Sequence, residues 1–162
     1  MDRRYEALLA RRKRKVEPGD GLALHVVVID ELAFYLGGSD RKQRSEITEL
    51  LRDLVSRGRA AGIIVLAATQ KPSADVIPTQ IRDLLGFRVA LRCSTPQASD
   101  TVLGQGWAAL GYSASTVDPS ARGVGFLLAE GGVPVRFRSC HLSDAQIDEI
   151  AVRAQRRRKG AR

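Results

Sequence analysis

The order of apolar and polar positions predicts alternating strands and helices through the middle of the chain. Residues 22–29 are apolar at odd and even positions alike, which is typical of a strand buried on both faces of a sheet. Residues 63–68 and 86–91 predict two more such strands. Between the first two, apolar residues recur every three or four positions over 47–55, on one face of a helix expected over 41–61. This order predicts an α/β fold with a mostly parallel sheet and flanking helices.

Both ends of the chain predict separate elements. A helix is expected over 3–15, and the glycine- and proline-containing segment 17–21 interrupts it. Residues 123–137 alternate around a pair of glycines, which predicts a β-hairpin. Ser143 is placed to cap a last helix over 144–157. We therefore divide the chain into a basic N-terminal helix and linker (1–21), an α/β part (22–142) and a C-terminal helix with a basic tail (143–162).

The composition is that of one folded domain. The chain has 162 residues, of which 44% are hydrophobic, so extensive disorder is excluded. No apolar run reaches the roughly 18 residues needed to cross a bilayer, and residues 1–16 lack an apolar signal core. Cys93 and Cys140 are far apart and match no metal-binding pattern. These features predict a cytoplasmic protein with reduced thiols and no direct membrane contact.

The positive charge lies at the two ends. The net charge is +8, yet residues 16–152 carry 13 basic and 16 acidic side chains. Residues 3–15 hold seven basic side chains and residues 153–162 hold six. Such ends suit the phosphates of nucleic acid, although solvated tails would give the same pattern. The candidate DNA contacts are Arg153, Arg156, Arg157 and Arg158.

Candidate chemistry is concentrated where two predicted strands end. Asp30 and Glu31 follow the first strand, which is the Walker B arrangement. In that arrangement the first carboxylate holds Mg²⁺, directly or through water, and the second orients a water for attack on a γ-phosphate. Thr69 and Gln70 follow the second strand, and the carboxyl ends of parallel strands share one edge of the sheet. Two solvated acids and a polar turn remain the alternative interpretation.

Arg59 lies at the end of the helix between these strands. At a subunit junction it would reach a neighbour's nucleotide as an arginine finger. A cation favoured by the carboxyl end of a helix is the alternative.

Together these segments resemble the FtsK/SpoIIIE family of DNA-translocating ATPases. The resemblance covers about residues 1–138 and rests on four blocks with the family's spacing, and residues 94–106 resemble the actinobacterial TraB/TraSA-like plasmid-transfer branch. The four blocks are VIDELA (28–33), RAAGI (59–63), ATQKPSADVI (68–77) and FRVAL (87–91) followed by Ser94.

The resemblance implies a RecA-like P-loop NTPase core that uses ATP and Mg²⁺. It implies a hexameric ring with double-stranded DNA in its pore, acting in conjugation or chromosome segregation. It gives the catalytic roles to Asp30, Glu31, Gln70 and Arg59. It also implies that Asp30, Thr69 and Gln70 contact the nucleotide, and that Asp30 holds Mg²⁺ directly or through water.

One part of the family pattern is missing. A phosphate-binding Walker A loop needs Gly-x-x-x-x-Gly-Lys-Ser/Thr, and this sequence contains no Gly-Lys dipeptide. In RecA-like sheets the strand before that loop is central, beside the strand that carries Gln70. We therefore expect a partial core that lacks this strand, in which 22–142 is the C-terminal part of an FtsK-type ATPase domain.

Such a chain would be inactive alone and would need self-association or a partner that supplies the Walker A part. The alternative is a catalytically inactive remnant that binds DNA or other ring subunits.

Overall fold

The computed structural model describes residues 1–38, 40–70, 72–73 and 77–160, with side chains given up to residue 158. Residues 71 and 74–76 of the block at 68–77 lie outside the described residues. The elements are α1 (Asp2–Ala10), β1 (His25–Ile29), α2 (Leu32–Leu36), α3 (Arg41–Gly58), β2 (Ile63–Ala67), α4 (Thr79–Arg82), β3 (Arg88–Leu91), α5 (Pro96–Leu103), a 3₁₀ turn (Ala114–Thr116), β4 (Val124–Leu128), β5 (Val135–Arg138) and α6 (Asp144–Gly160).

Strands β1 and β2 form a parallel pair, as the β-branched runs predict. The register aligns His25 with Ile63 and Ile29 with Ala67. Helix α3 connects the two strands and packs on one face, where Ile63 is buried. The opposite face is open, since Val28 is 65% exposed and Leu66 is 60% exposed. The expectation that both faces of β1 are buried is therefore wrong for the described residues.

The third predicted strand belongs to a different sheet. β3 pairs with β4 in antiparallel register, and β4 pairs with β5 as the predicted hairpin. Among the described residues, no strand joins this sheet to β1 and β2. The α/β class is confirmed, but β3 does not continue the parallel pair. Sequence patterning identifies a strand without identifying its neighbour, so this pairing was not predictable from the pattern.

Two small cores hold the molecule together. The larger lies under the antiparallel sheet, where Leu103 of α5 is fully buried against Phe126 of β4. Cys93 packs against this core, and burial raises the pKa of its thiol. The smaller core joins α2, α3 and α4 through Leu36 and Ile81. Each core therefore packs one sheet against the helices next to it.

The two terminal helices differ from their predicted lengths. Helix α1 ends at Ala10 rather than residue 15, because Arg12 takes a left-handed conformation (φ 55°) and the chain turns there. The ion pair between Lys13 and Asp20 then secures the turn. Helix α6 extends to Gly160, beyond the predicted end at residue 157.

All side chains from residue 139 to residue 158 are exposed, so α6 packs little against the body. Within the described part of the chain, no helix has the length and apolar character to cross a membrane.

Candidate functional site

The carboxyl ends of β1 and β2 are joined into one edge by backbone hydrogen bonds. The N–H of Ala68 donates to the carbonyl oxygen of Ile29 at 2.8 Å, and the N–H of Leu32 donates to the carbonyl oxygen of Ala68 at 2.8 Å. The residues after each strand therefore lie side by side. We call this edge, formed by residues 30–31 and 69–70, the lip.

The Glu31 carboxylate accepts hydrogen bonds from both sides of the lip. Its Oε1 accepts hydrogen bonds from the backbone N–H of Ala33 at 3.1 Å and from the hydroxyl of Thr69 at 2.5 Å. Its Oε2 accepts from the backbone N–H of Gln70 at 3.0 Å. The carboxylate thus caps α2 and ties it to the end of β2. These bonds hold Glu31 in one orientation, which is what a water-orienting group requires.

Asp30 and the side chain of Gln70 face solvent at the same lip. Both residues are exposed, and in the described structure the Asp30 carboxylate has no hydrogen-bond or ion-pair partner. No group of three or more His, Cys, Asp or Glu side chains able to hold a metal occurs among the described residues. Mg²⁺ is usually held by one or two carboxylates together with phosphate oxygens and water. The exposed Asp30 carboxylate at this lip fits that donor set.

Arg59 is not brought to the lip. It follows α3 at the end of the sheet where β2 begins, whereas the lip lies where β2 ends. Its Nη1 lies 3.1 Å from Oε1 of Glu130, and the side chain is 80% exposed. Arg59 and the lip of the same chain therefore lie at opposite ends of β2.

The four arginines predicted to contact DNA lie on α6. All of them are exposed, and none has an ion-pair partner among the described side chains. They form a separate basic surface that the structure does not place at the lip. We call it the α6 arginines: Arg153, Arg156, Arg157 and Arg158.

A second basic surface escaped the sequence analysis. Arg41, Arg44 and Arg52 line a cavity of about 440 Å³ between α3 and α4, together with Glu49 and two hydroxyl side chains. Their spacing of three and eight positions places them on one face of α3, which is the signal that would have found them. We call them the α3 arginines.

Curated proteins match most of this chain. It is 34% identical to DNA translocase FtsK 2 of Ralstonia nicotianae over 137 residues, which cover 83% of this chain and 16% of that protein. It is 30% identical to DNA translocase SftA of Bacillus subtilis over 168 aligned positions, covering 96% and 16% respectively. The chain belongs to the FtsK/SpoIIIE family. It spans about one sixth of the length of these relatives. No protein-family model matches it.

Solved structures show the same fold as this FtsK-type chain. The conjugation coupling protein TcpA of plasmid pCW3, in a monomer form with ATPγS, superposes with a TM-score of 0.71 at 24% identity. That match covers 94% of this chain and 45% of TcpA. The Type VII secretion ATPase EccC of Thermomonospora curvata gives a TM-score of 0.67 at 22% identity, over 88% of this chain and 16% of EccC. The fold is that of RecA-like P-loop ATPases.

Proposed function

We propose that this chain is the C-terminal portion of an ATP-dependent double-stranded DNA translocase motor. It supplies the Walker B and sensor side of a nucleotide site, and the Walker A loop comes from outside these 162 residues. The observation that carries the proposal is the lip. There Glu31 is fixed by Thr69 and Gln70, and Asp30 stays free.

Each lip residue has a distinct role in this proposal. Asp30 would hold Mg²⁺ directly or through water, and the ion would supply neutralisation of the charge on the phosphates. Glu31 orients the attacking water and accepts its proton through a carboxylate that its three donors hold in place. The exposed amide of Gln70 donates a hydrogen bond to a phosphate oxygen without adding negative charge. Thr69 contacts the nucleotide and keeps Glu31 oriented.

Arg59 fits a role between copies of the chain. It lies at the end of the sheet opposite its own lip and is largely exposed. In a hexameric ring around duplex DNA, neighbouring copies would bring Arg59 of one to the nucleotide of the next, where it stabilises transition-state charge. Because duplex DNA is the substrate, we place this activity in the cytoplasm, in conjugative plasmid transfer or chromosome segregation.

The alternative function is a remnant that binds DNA or ring subunits without hydrolysing ATP. The absence of any Gly-Lys dipeptide favours it, because backbone amides and a lysine normally hold the β- and γ-phosphates. The two functions share one fold. They differ in whether the site hydrolyses ATP once a Walker A loop is added to the lip.

The test is ATP hydrolysis measured on the pure chain, first with Mg²⁺ and duplex DNA, then with a polypeptide that carries the Walker A half of an FtsK motor domain. We expect no turnover by the chain alone and DNA-stimulated turnover after the addition. If the pure chain hydrolysed ATP and Glu31→Gln abolished that activity, the chain would not need an added Walker A loop, and the proposal would be wrong. No turnover in the combined sample would leave the remnant function as the better account.

The α6 arginines are expected to carry much of the duplex affinity. Replacing Arg153, Arg156 and Arg157 with glutamine should reduce the slope of log affinity against log salt by about 2 to 3, since each phosphate contact contributes about 0.9. Fluorescence anisotropy of a labelled duplex at several salt concentrations measures this slope.

The matched control replaces Arg41, Arg44 and Arg52 with glutamine, which removes the same charge from the α3 arginines. If only this control reduces the slope, DNA lies along α3 and the assignment to α6 is wrong. Equal reductions by both sets would mean that net charge, rather than position, determines binding.

A further inference from the structure

Arg88, the first residue of β3, is a half-buried cation. Its Nε is buried, and no described group forms a hydrogen bond or an ion pair with the guanidinium. Burial lowers the pKa of Arg88 and the nearby Arg82 guanidinium lowers it further, while Asp83 opposes both effects without cancelling them. A charge removed from water is costly unless an opposite charge or hydrogen bonds replace the solvent. An anion bound at Arg88 would therefore be stabilising.

A cavity of about 380 Å³ lies beside Arg88, at the end of the antiparallel sheet where β3 begins. We call it the Arg88 cavity. Small-molecule sites have volumes of about 300 to 1,000 Å³. Leu85, Leu128 and Trp107 line the Arg88 cavity, together with the turn at residues 130–132. It therefore offers apolar contact surface next to a half-buried positive charge.

Trp107 brings a second N–H donor to the same place. A Cβ on Gly104 would lie 3.5 Å from Nη1 of Arg88 and 3.4 Å from Nε1 of Trp107, so both nitrogen atoms lie close to one point. The ring of Tyr112 meets the Trp107 ring edge to face, with centroids 5.6 Å apart, which helps to fix the indole. No described group accepts a hydrogen bond from the indole N–H. The guanidinium and the indole can therefore both donate to one small anion.

The acids that line the Arg88 cavity distinguish between kinds of anion. Asp83 accepts a hydrogen bond from Nε of Arg82 at 3.0 Å. Glu130 lies 3.1 Å from Nη1 of Arg59. Each acid is thus paired with another arginine, and their charges repel a phosphate, which carries up to two negative charges. A carboxylate carries one, and its two oxygens match two N–H groups of a guanidinium.

We propose that the Arg88 cavity binds a carboxylate ligand with an apolar body, held by the guanidinium of Arg88 and the indole N–H of Trp107. The apolar body packs against Leu85 and Leu128. The carboxylate comes from a free organic acid or from an acidic side chain of another protein, and the same two donors serve both sources. The Arg88 cavity contains no residue of the lip, so the inference does not depend on the proposed function.

The test titrates the full chain with cyclohexanecarboxylate, which is ionised at neutral pH, at constant ionic strength. Trp107 is the single tryptophan of the sequence, so its fluorescence and its indole N–H resonance report on this cavity. We expect a saturable change with a dissociation constant on the order of 1 mM, as suits a ligand of about nine non-hydrogen atoms. The neutral isostere cyclohexanecarboxamide should bind at least tenfold more weakly, because it lacks the charge.

A matched pair of variants tests the role of Arg88. Arg88→Met removes the guanidinium and should weaken binding of the acid at least tenfold. Arg138→Met removes the same charge from the other end of the sheet, where Arg138 pairs with Val124, whereas Arg88 pairs with Leu128. Its dissociation constant should equal that of the unmodified chain. Circular dichroism checks that both variants fold.

The α-amide of N-acetylglutamate, titrated in the same way, separates the two sources of the carboxylate. Tighter binding than that of cyclohexanecarboxylate assigns the Arg88 cavity to an acidic segment of a protein partner. Weaker binding assigns it to a free organic acid.

Four results would overturn the inference. They are no saturation up to a hundredfold above the expected constant, equal binding of the carboxamide, an equal loss in Arg138→Met, or tighter binding of inorganic phosphate than of the acid. If Arg88→Met does not fold, the acid and the carboxamide compared on the unmodified chain still give the answer.

Discussion

Glu31→Gln is expected to lower the rate of ATP turnover at least about a hundredfold in the assembly with the Walker A polypeptide. The glutamine keeps the shape of the side chain but cannot accept the proton of the attacking water, and general-base catalysis typically contributes 10²- to 10⁴-fold. The Michaelis constant for ATP should change much less than kcat, because Glu31 is not proposed to contact the nucleotide. Steady-state kinetics of the assembly measures both constants.

The matched control for this variant is Glu46→Gln, an exposed glutamate on α3 that makes no hydrogen bond to the lip among the described residues. Its kcat should equal that of the unmodified assembly. If Glu31→Gln retained full turnover, the lip would not be the catalytic centre. If both variants lost activity equally, the effect would come from charge or folding rather than from Glu31.

Gly125→Ala is expected to lower the free energy of unfolding by about 2 to 3 kcal/mol, the upper part of the range for overpacking. A Cβ on residue 125 would lie 2.5 Å from the carbonyl oxygen of Ala90 and 3.1 Å from the Cα of Leu91. Both are backbone atoms of β3, so the clash is relieved only by moving β3 away from β4. Urea denaturation followed by circular dichroism measures the loss.

The control is Gly132→Ala, in the turn between β4 and β5. There a Cβ would meet only the carbonyl oxygen of Ala129, at an ordinary 3.4 Å. Its stability should stay within about 0.5 kcal/mol of the parent, as for most surface substitutions. A stable Gly125→Ala would show that β3 and β4 can separate without cost, contrary to the tight pairing seen here.

The ends of β1 and β2 show how much local pattern predicted. The β-branched run before Asp30 and the apolar run before Thr69 both form strands in parallel register. Parallel strands put their carboxyl ends at one edge, so the sequence alone predicts residues 30–31 beside residues 69–70. The pattern did not predict the three hydrogen bonds to Glu31, because two of their donors are backbone N–H groups whose direction depends on the turn after each strand.

The exposed face of β1 and the pairing of β3 show where the pattern failed. An apolar residue such as Val28 indicates a surface that is more stable away from water. It does not indicate whether this chain or another one covers that surface. Likewise, β3 is as apolar as β1, yet its neighbour is β4 and not β2. The spacing of the α3 arginines places them on one helix face, but the cavity that they line also needs α4 as its second wall.

The sequence by itself determined the strand, helix, strand unit, the acids and polar residues at its end, the basic termini and the lack of a Gly-Lys pair. All of these depend on local periodicity and residue chemistry, which neighbouring positions fully specify. Only the tertiary structure decided that Arg59 lies at the end of β2 opposite its own lip and that β3 joins another sheet. Those features arise from contacts between residues far apart in the chain, and no local pattern contains them.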